Sequence, residues 1–305
     1  MISICIPTYN RLSSLKRHLS SIFNGFEDYP YEVIIADGGS TDGTLEYLRS
    51  LDNDNVKLIE QGKLTGAVKA FNACFRIIKG DYVLIGGDDL ILVPKVLIKA
   101  CELMDKEKQI GLVTPKVLPG PDHLHSLTRW TEQYGSILSF FFIIRVSVLK
   151  EMGYFDESLR TYFIDTDASL AVLNLGYTSI VTRDVGIMDF SLRDKSSVTL
   201  ATTINMAKRE QDMKYGEKKW EFLRIKVKEH LRYSPFKRYK SLFFNKICTA
   251  MYHAKWLRSF VKRNNKFVLK LYDWLLAQTV IFNDRNYGHL KDFFLAQRYP
   301  DEIIS

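Results

Sequence analysis

The sequence lacks the long apolar stretch that a membrane span requires. Its longest predominantly apolar run, residues 137–144, falls far short of the roughly 18 residues needed to cross a bilayer. A signal-peptide core is missing as well: residues 1–6 are too short, Pro7 stops them, and no basic region precedes them. Cysteine is scarce. Cys5, Cys74, Cys101 and Cys248 are scattered through apolar contexts without C-x-x-C spacing, which argues against a zinc site or a disulfide framework and suits a reducing compartment. Internal repeats and low-complexity tracts are absent too. A cytoplasmic location is expected, with any membrane contact at the cytoplasmic face.

What is present describes a folded protein. The 305 residues are 46% hydrophobic and 13% aromatic, enough for a real core in one large or two ordinary domains. The formal charge of +8 is uneven, because residues 205–270 hold 19 Lys/Arg against 5 Asp/Glu and the remainder is mildly acidic. Basic character therefore belongs to one segment.

The stretch that organises the chain is Gly80-Asp81-Tyr82-Val83-Leu84-Ile85-Gly86-Gly87-Asp88-Asp89. A β-rich apolar run ends in two glycines and two adjacent carboxylates, at the carboxyl end of a buried strand, where open α/β sheets place ligands. Adjacent carboxylates repel unless a cation or a donor joins them, and hard divalent cations take oxygen ligands. Gly-Gly-Asp-Asp is also good chemistry for a solvated turn.

Before that stretch, strands at residues 2–6, 31–36 and 56–60 alternate with helices at 12–23, 44–51 and 67–78, a spacing that predicts a mostly parallel sheet. Beyond it, Pro94 opens a helix reaching to about Asp105 and residues 111–115 form another strand. Residues 119–133 read as a long loop of the kind that is usually functional, 146–152 as a short helix, and 168–175 as a helix closed by Gly176. From about Thr203 the pattern turns to helices, so two regions are expected, 1–200 and a helical 201–305, with the boundary within 196–205.

Loops 8–11, 37–42, 62–66 and 86–89 each follow a strand and should converge on one edge of the sheet. Together they offer what a nucleoside diphosphate needs. Tyr9 can stack on a base, an aspartate can accept from base or ribose, Arg11 can meet phosphate, and a metal on Asp88 and Asp89 can neutralise the diphosphate. Singly, Tyr9 could equally be a packing residue, Arg11 a solvated charge and Asp37 a turn residue.

The order and spacing of Ser3 to Arg11, Ile34 to Thr44, Gly66/Ala70/Asn72, Gly80 to Asp89 with Pro94, and Gly153-Tyr154-Phe155-Asp156-Glu157 resemble the family 2 glycosyltransferases of the GT-A fold, over residues 2–190. The resemblance implies an α/β, Rossmann-like, mostly parallel central sheet flanked by helices, here with a C-terminal helical extension. It further implies sugar transfer with inversion from a nucleotide-diphosphate donor, a UDP-sugar first, to an acceptor hydroxyl on a glycan or lipid-linked saccharide, as a hexosyl- or N-acetylhexosaminyl-transferase using Mn²⁺ or Mg²⁺. By position, Pro7, Thr8, Tyr9 and Arg11 would line the nucleotide pocket, Asp37 would hold base or ribose, and Asp88 and Asp89 would form the aspartate motif, Asp88 facing the donor as well as the metal. Gly86 stands where relatives often carry a further acid, and Gly38 where they often carry Asp or Asn. A Glu-Asp pair supplies the base in relatives; here Ile164 replaces the Glu and Asp165 keeps the Asp, with Asp189 as the nearest equivalent of a further metal ligand.

Displacement needs a base on the acceptor side and a cation facing the departing diphosphate. Asp165, far along the chain from Asp88, suits the first role, though it or Asp167 could instead cap a helix. In residues 237–270 cations alternate with aromatics at helical spacing. Packing on the catalytic part, an oligomer contact between C-terminal helices and peripheral binding to an anionic membrane are all open, whereas nucleic acid is not expected because no recognised module accompanies the charge. The alternative from another class is a non-catalytic sugar-nucleotide or membrane-binding protein of the same fold.

Overall fold

A computed structural model describes residues 1–26, 28–119, 130–133, 136–139, 141–189 and 206–222. The elements run β1 (Ile2–Thr8), α1 (Leu12–Phe23), β2 (Tyr31–Asp37), α2 (Thr44–Arg49), β3 (Val56–Glu60), α3 (Ala67–Phe75), β4 (Tyr82–Ile85), β5 (Leu90–Leu92), α4 (Pro94–Lys106), β6 (Ile110–Pro119), β7 (Trp130–Gln133), β8 (Ser136–Ser139), β9 (Phe142–Arg145), α5 (Val146–Glu151), α6 (Ile164–Asn174), β10 (Thr178–Asp189) and α7 (Met206–Lys219). Eight strands form one sheet in the order β3-β2-β1-β4-β9-β6-β10-β5, and β7 pairs with β8.

Parallel pairing joins β3, β2, β1 and β4, and β10 runs parallel to β6. Two strands run against these: β9 lies antiparallel between β4 and β6, and β5 pairs antiparallel with β10. The sheet is thus mostly parallel, as expected. Strict alternation along the strands builds its two faces. Ile2, Ile4 and Ile6 of β1, Val33 and Ile35 of β2, and Tyr82 and Leu84 of β4 pack on the stripes of α1 and α4. Cys5, Ile34, Ala36, Val83 and Ile85 face the other way, onto α3, α5 and α6, with Trp220 in the same cluster. Each such aliphatic side chain, fully buried, stabilises the fold by about 1.5–3 kcal/mol.

Several expectations shift. Helix α6 starts at Ile164, four residues before the expected 168, with Phe163 at φ 68 as its cap residue, so Asp165 and Asp167 both lie in its first turn and neither caps it. The apolar run 137–144 divides between β8 and β9, and residues 130–133 of the expected long loop form β7. Pro119, expected in that loop, closes β6, while residues 120–129, the boundary at 196–205, Cys248 and the basic–aromatic segment 237–270 lie outside the described residues. No described helix is long and apolar enough to cross a membrane.

Candidate active site

The four loops do converge at the carboxyl edge of β1 to β4. Thr8, last in β1, donates its hydroxyl to Asp88 Oδ2 at 2.7 Å. Asn10 takes the left-handed conformation, φ 54, that Asn tolerates. From there its N–H donates to Ser40 Oγ at 2.9 Å and its Oδ1 accepts from Thr41 N–H at 2.7 Å, tying the first loop to the second. Gly39, at φ 85, brings the second loop against the third: a Cβ there would lie 2.8 Å from the Gly62 carbonyl oxygen. Beside it Gly38 lets two side chains close in, since a Cβ there would lie 3.2 Å from Leu64 Cδ1 and 3.4 Å from Tyr9 Cδ2, and Leu64 is apolar and 62% exposed.

At the centre stand Asp88 and Asp89, each only 8% exposed. Arg11 bridges them, its Nε donating to Asp88 Oδ1 at 3.2 Å and its Nη2 to Asp89 Oδ2 at 2.5 Å. Burial pushes the Asp88 carboxyl up, against the pull of the Arg11 charge. Asp89 is pushed up to about 7, by burial first and then by the charge of Asp88, with a further contribution from Asp189. Asp189 reaches this neighbourhood because β10 pairs it with Leu90. When both carboxylates are ionised, one guanidinium leaves a net negative charge in a nearly closed place, and both carboxyls are pushed up. Mg²⁺ and Mn²⁺ are commonly held by one or two carboxylates together with substrate phosphate oxygens, so this donor set fits such an ion. Among the described residues no group of three or more His, Cys, Asp or Glu could hold a metal by itself.

Asp37 is fully buried, and its oxygens organise its own loop, accepting from Gly39 N–H at 2.9 Å, Ser40 N–H at 2.8 Å and the Ser40 hydroxyl at 2.6 Å. Pro7 sits in register beside Ala36, and Thr8 beside Asp37. His18 supports the site from α1, where a lone histidine on an apolar helix face gives no sequence signal for such a role. Burial lowers its pKa to about 4, and the ring is neutral at pH 7. Its Nδ1 lies 2.9 Å from the Leu90 carbonyl oxygen, which can only accept, so Nδ1 carries the proton and holds the backbone just after the aspartate pair.

Asp165 opens α6 half-buried, and desolvation raises its carboxyl to about 6. Its neighbour Asp167 is committed elsewhere, accepting from Trp220 Nε1 at 2.7 Å and pairing with Lys219 at 2.8 Å. The approach to α6 is fastened to α3 in two places. Asn72 donates to the Phe155 carbonyl at 2.8 Å and accepts from Phe155 N–H at 3.1 Å. The Arg160 carbonyl accepts from Val68 N–H at 3.3 Å.

A three-layer sheet with a carboxylate pair at the edge of its parallel half is the architecture of GT-A glycosyltransferases, and solved structures of that class match it. A mannosyltransferase from Pyrobaculum calidifontis in complex with GDP-Man and Mn²⁺ superposes with a TM-score of 0.53 at 16% identity, over 88% of this chain and 85% of that one. TarS 1-349 of S. aureus in complex with UDP-GlcNAc gives 0.54 at 17% identity, over 92% and 88%. At these identities the likeness is one of fold. Residues 3–163 match Glycosyl transferase family 2, and the chain belongs to that family. Among curated relatives, the dolichol-phosphate mannosyltransferase of Pyrococcus furiosus is 30% identical over 112 residues, 36% of this chain and 32% of that protein. The abequosyltransferase RfbV of Salmonella typhimurium is 34% identical over 120 residues, 38% of this chain and 36% of that protein. The chain thus spans about a third of the length of these relatives.

Proposed function

We propose that the protein is an inverting, metal-dependent glycosyltransferase that moves a hexosyl or N-acetylhexosaminyl group from a nucleoside-diphosphate sugar, a UDP-sugar first, to an acceptor hydroxyl. The observation that carries this reading is the buried Asp88–Asp89 pair, braced by Thr8 and Arg11 of the opposite loop, at the convergence of four loops in a family 2 member. Tyr9 and Leu64, both close to Gly38, would offer apolar surface to a base, and Pro7 and Asp37, on the paired ends of β1 and β2, would line the same pocket. Bound Mn²⁺ or Mg²⁺, held by Asp88 and Asp89, would supply positive charge to the diphosphate. Arg11 adds a fixed cation on the same side.

Asp165 acts on the other side. The acceptor oxygen attacks the anomeric carbon, the bond from that carbon to the diphosphate oxygen breaks, and the Asp165 carboxylate takes the hydroxyl proton. A carboxyl at about 6 is ionised at neutral pH and a stronger base than a solvated aspartate, which suits general-base work. For the acceptor, two curated relatives carry dolichyl groups in their names: the P. furiosus enzyme and a glucuronosyltransferase of Methanococcus voltae, 38% identical over 93 residues, 28% of each chain. The second name carries a lipid-linked saccharide and the first a lipid phosphate, and together they support a lipid-linked acceptor, which this reading places at the cytoplasmic face of a membrane.

Hydrolysis of UDP-Glc, UDP-Gal, UDP-GlcNAc, UDP-GalNAc and GDP-Man with Mn²⁺ tests the donor reading. At least one should release its nucleoside diphosphate faster than the metal-free control, and equal rates for all would contradict it. Residues 237–270 would reach a bilayer through buried aromatics and about 1 kcal/mol per surface cation. The full chain should therefore float with anionic vesicles, less so at high salt, and not with neutral ones. Flotation equal with both would remove the electrostatic part of that reading.

A further inference from the structure

Helix α7 follows the segment in which a domain boundary was expected, yet among the described residues its polar contacts beyond itself fall on one short stretch, between Asp156 and Asp167. Tyr215 and Lys219 bond Asp156 at 2.9 and 2.8 Å, and Lys219 and Trp220 bond Asp167. Against burial, which alone would raise it, Lys219, Ser158 and Tyr215 hold the Asp156 carboxyl down at about 2. Arg209 stacks on Tyr162, its guanidinium carbon 5.6 Å from the ring centroid. The centre of the contact is Asp212, only 3% exposed. Its Oδ2 accepts the N–H groups of Thr161 at 3.0 Å, Tyr162 at 2.9 Å and Arg160 at 3.3 Å, and its Oδ1 lies 3.2 Å from the same Arg160 nitrogen.

Three consecutive backbone N–H groups turned to one anion form a concavity that a carboxylate fills from outside the loop. The next residue, Phe163, is in the left-handed conformation from which α6 starts, and Asp165 stands two residues on. Gly216 of α7 presses on that same residue, since a Cβ there would come within 2.2 Å of the Phe163 ring. On its far side the loop touches the nucleotide half: Arg160 O accepts from Val68 N–H and stands 3.2 Å from where a Cβ on Gly66 would be.

We propose that Asp212 is a positioning residue for the transfer reaction: by gathering the N–H groups of Arg160, Thr161 and Tyr162 it fixes where α6 begins, and so where the Asp165 carboxylate meets the acceptor. The proposal rests on Asp165 being the base. Its chemistry is specific, because a neutral amide offers one accepting oxygen where the carboxylate offers two and a full charge. Displacing a catalytic group by about 1 Å can cost on the order of 10²-fold in rate.

The test is a double-mutant cycle on the full chain, using the sugar nucleotide that the wild type hydrolyses fastest, with UDP–Mn²⁺ calorimetry and thermal unfolding alongside. Asp212→Asn should lower turnover about 10-fold and Asp212→Ala about 10²-fold, with UDP affinity within about twofold of wild type. In an Asp165→Asn background the same changes should cost less than about twofold, because the base they position is gone. If Asp212→Ala is not recovered folded, Asp212→Asn, which keeps the shape, carries the cycle. Equal losses in both backgrounds, unchanged turnover, or a loss of UDP affinity matching the loss of turnover would each overturn the proposal. Normal turnover in Asp165→Asn alone would instead sink the base assignment on which it rests.

Discussion

Asp165 illustrates how one side chain's surroundings set its use. Desolvation raises its carboxyl from an ordinary 3.8 to about 6, so the folded chain holds that proton more tightly than the unfolded one does. Two consequences follow from the sign. As a base the group must be ionised, so turnover should fall as pH drops through about 6, a limb that an unshifted aspartate would place near 4. As a partly desolvated charge it costs stability progressively as pH rises from about 3.8 to about 6, and the full cost stands above that. Asp165→Asn is therefore expected to lower turnover by about 10²-fold or more while keeping diphosphate affinity, and to raise the melting temperature at pH 8. A pH–rate profile, calorimetry and thermal unfolding check the three parts. Near-normal turnover would move the base elsewhere.

Elements are joined here by side chains that imitate backbone pairing. Asn72 on α3, 4% exposed, offers its amide to Phe155 as a strand would, donor to carbonyl and acceptor to N–H, and so fixes the course of residues 153–157. Asn72→Ala leaves both Phe155 groups buried and unmet, which should destabilise the fold by about 1–3 kcal/mol in denaturant unfolding. A change under about 0.5 kcal/mol would mean that water replaces the amide. Such links also mark the limit of what could be read from residues alone. Strands β2 and β4 were legible because each is an apolar run closed by Asp37 or Gly86, and β3 because Val56, Leu58 and Ile59 stand before a glycine loop. Strand β1 was legible too, though it runs through Pro7 to Thr8, past the expected end at Ile6, and the loops after all four carried the candidate site. Strand β10 was not: Arg183 and Asp184 interrupt its pattern, and its pairing with β6 shifts register twice around Val185. Antiparallel β9 lay hidden inside one apolar run. The early start of α6 follows Phe163 in the left-handed conformation, and the loop before it is bonded by Asp212, a partner some fifty residues away that no local pattern reveals.

Across the whole molecule, the sheet brings four loops from the first 90 residues to one edge, Asp165, the proposed base, stands on a helix beyond them, and Asp212 of α7 bonds the loop that leads into that helix. Residue types alone pointed to Asp88 and Asp89 as a pair that needs a donor or a cation and to Arg11 as a partner for phosphate, while Thr8 entered only with the family resemblance. That Arg11 itself spans the pair, and that Asp37 turns inward to its own loop, needed coordinates. The central claim is that this edge binds a nucleoside diphosphate through a metal on Asp88 and Asp89. Isothermal titration of UDP and GDP into the wild type and into Asp88→Asn/Asp89→Asn, with and without Mn²⁺, tests it most directly. Mn²⁺ should strengthen binding of at least one diphosphate by about tenfold or more in the wild type and leave the folded variant unaffected. Equal Mn²⁺-stimulated affinity in the two proteins would contradict the account.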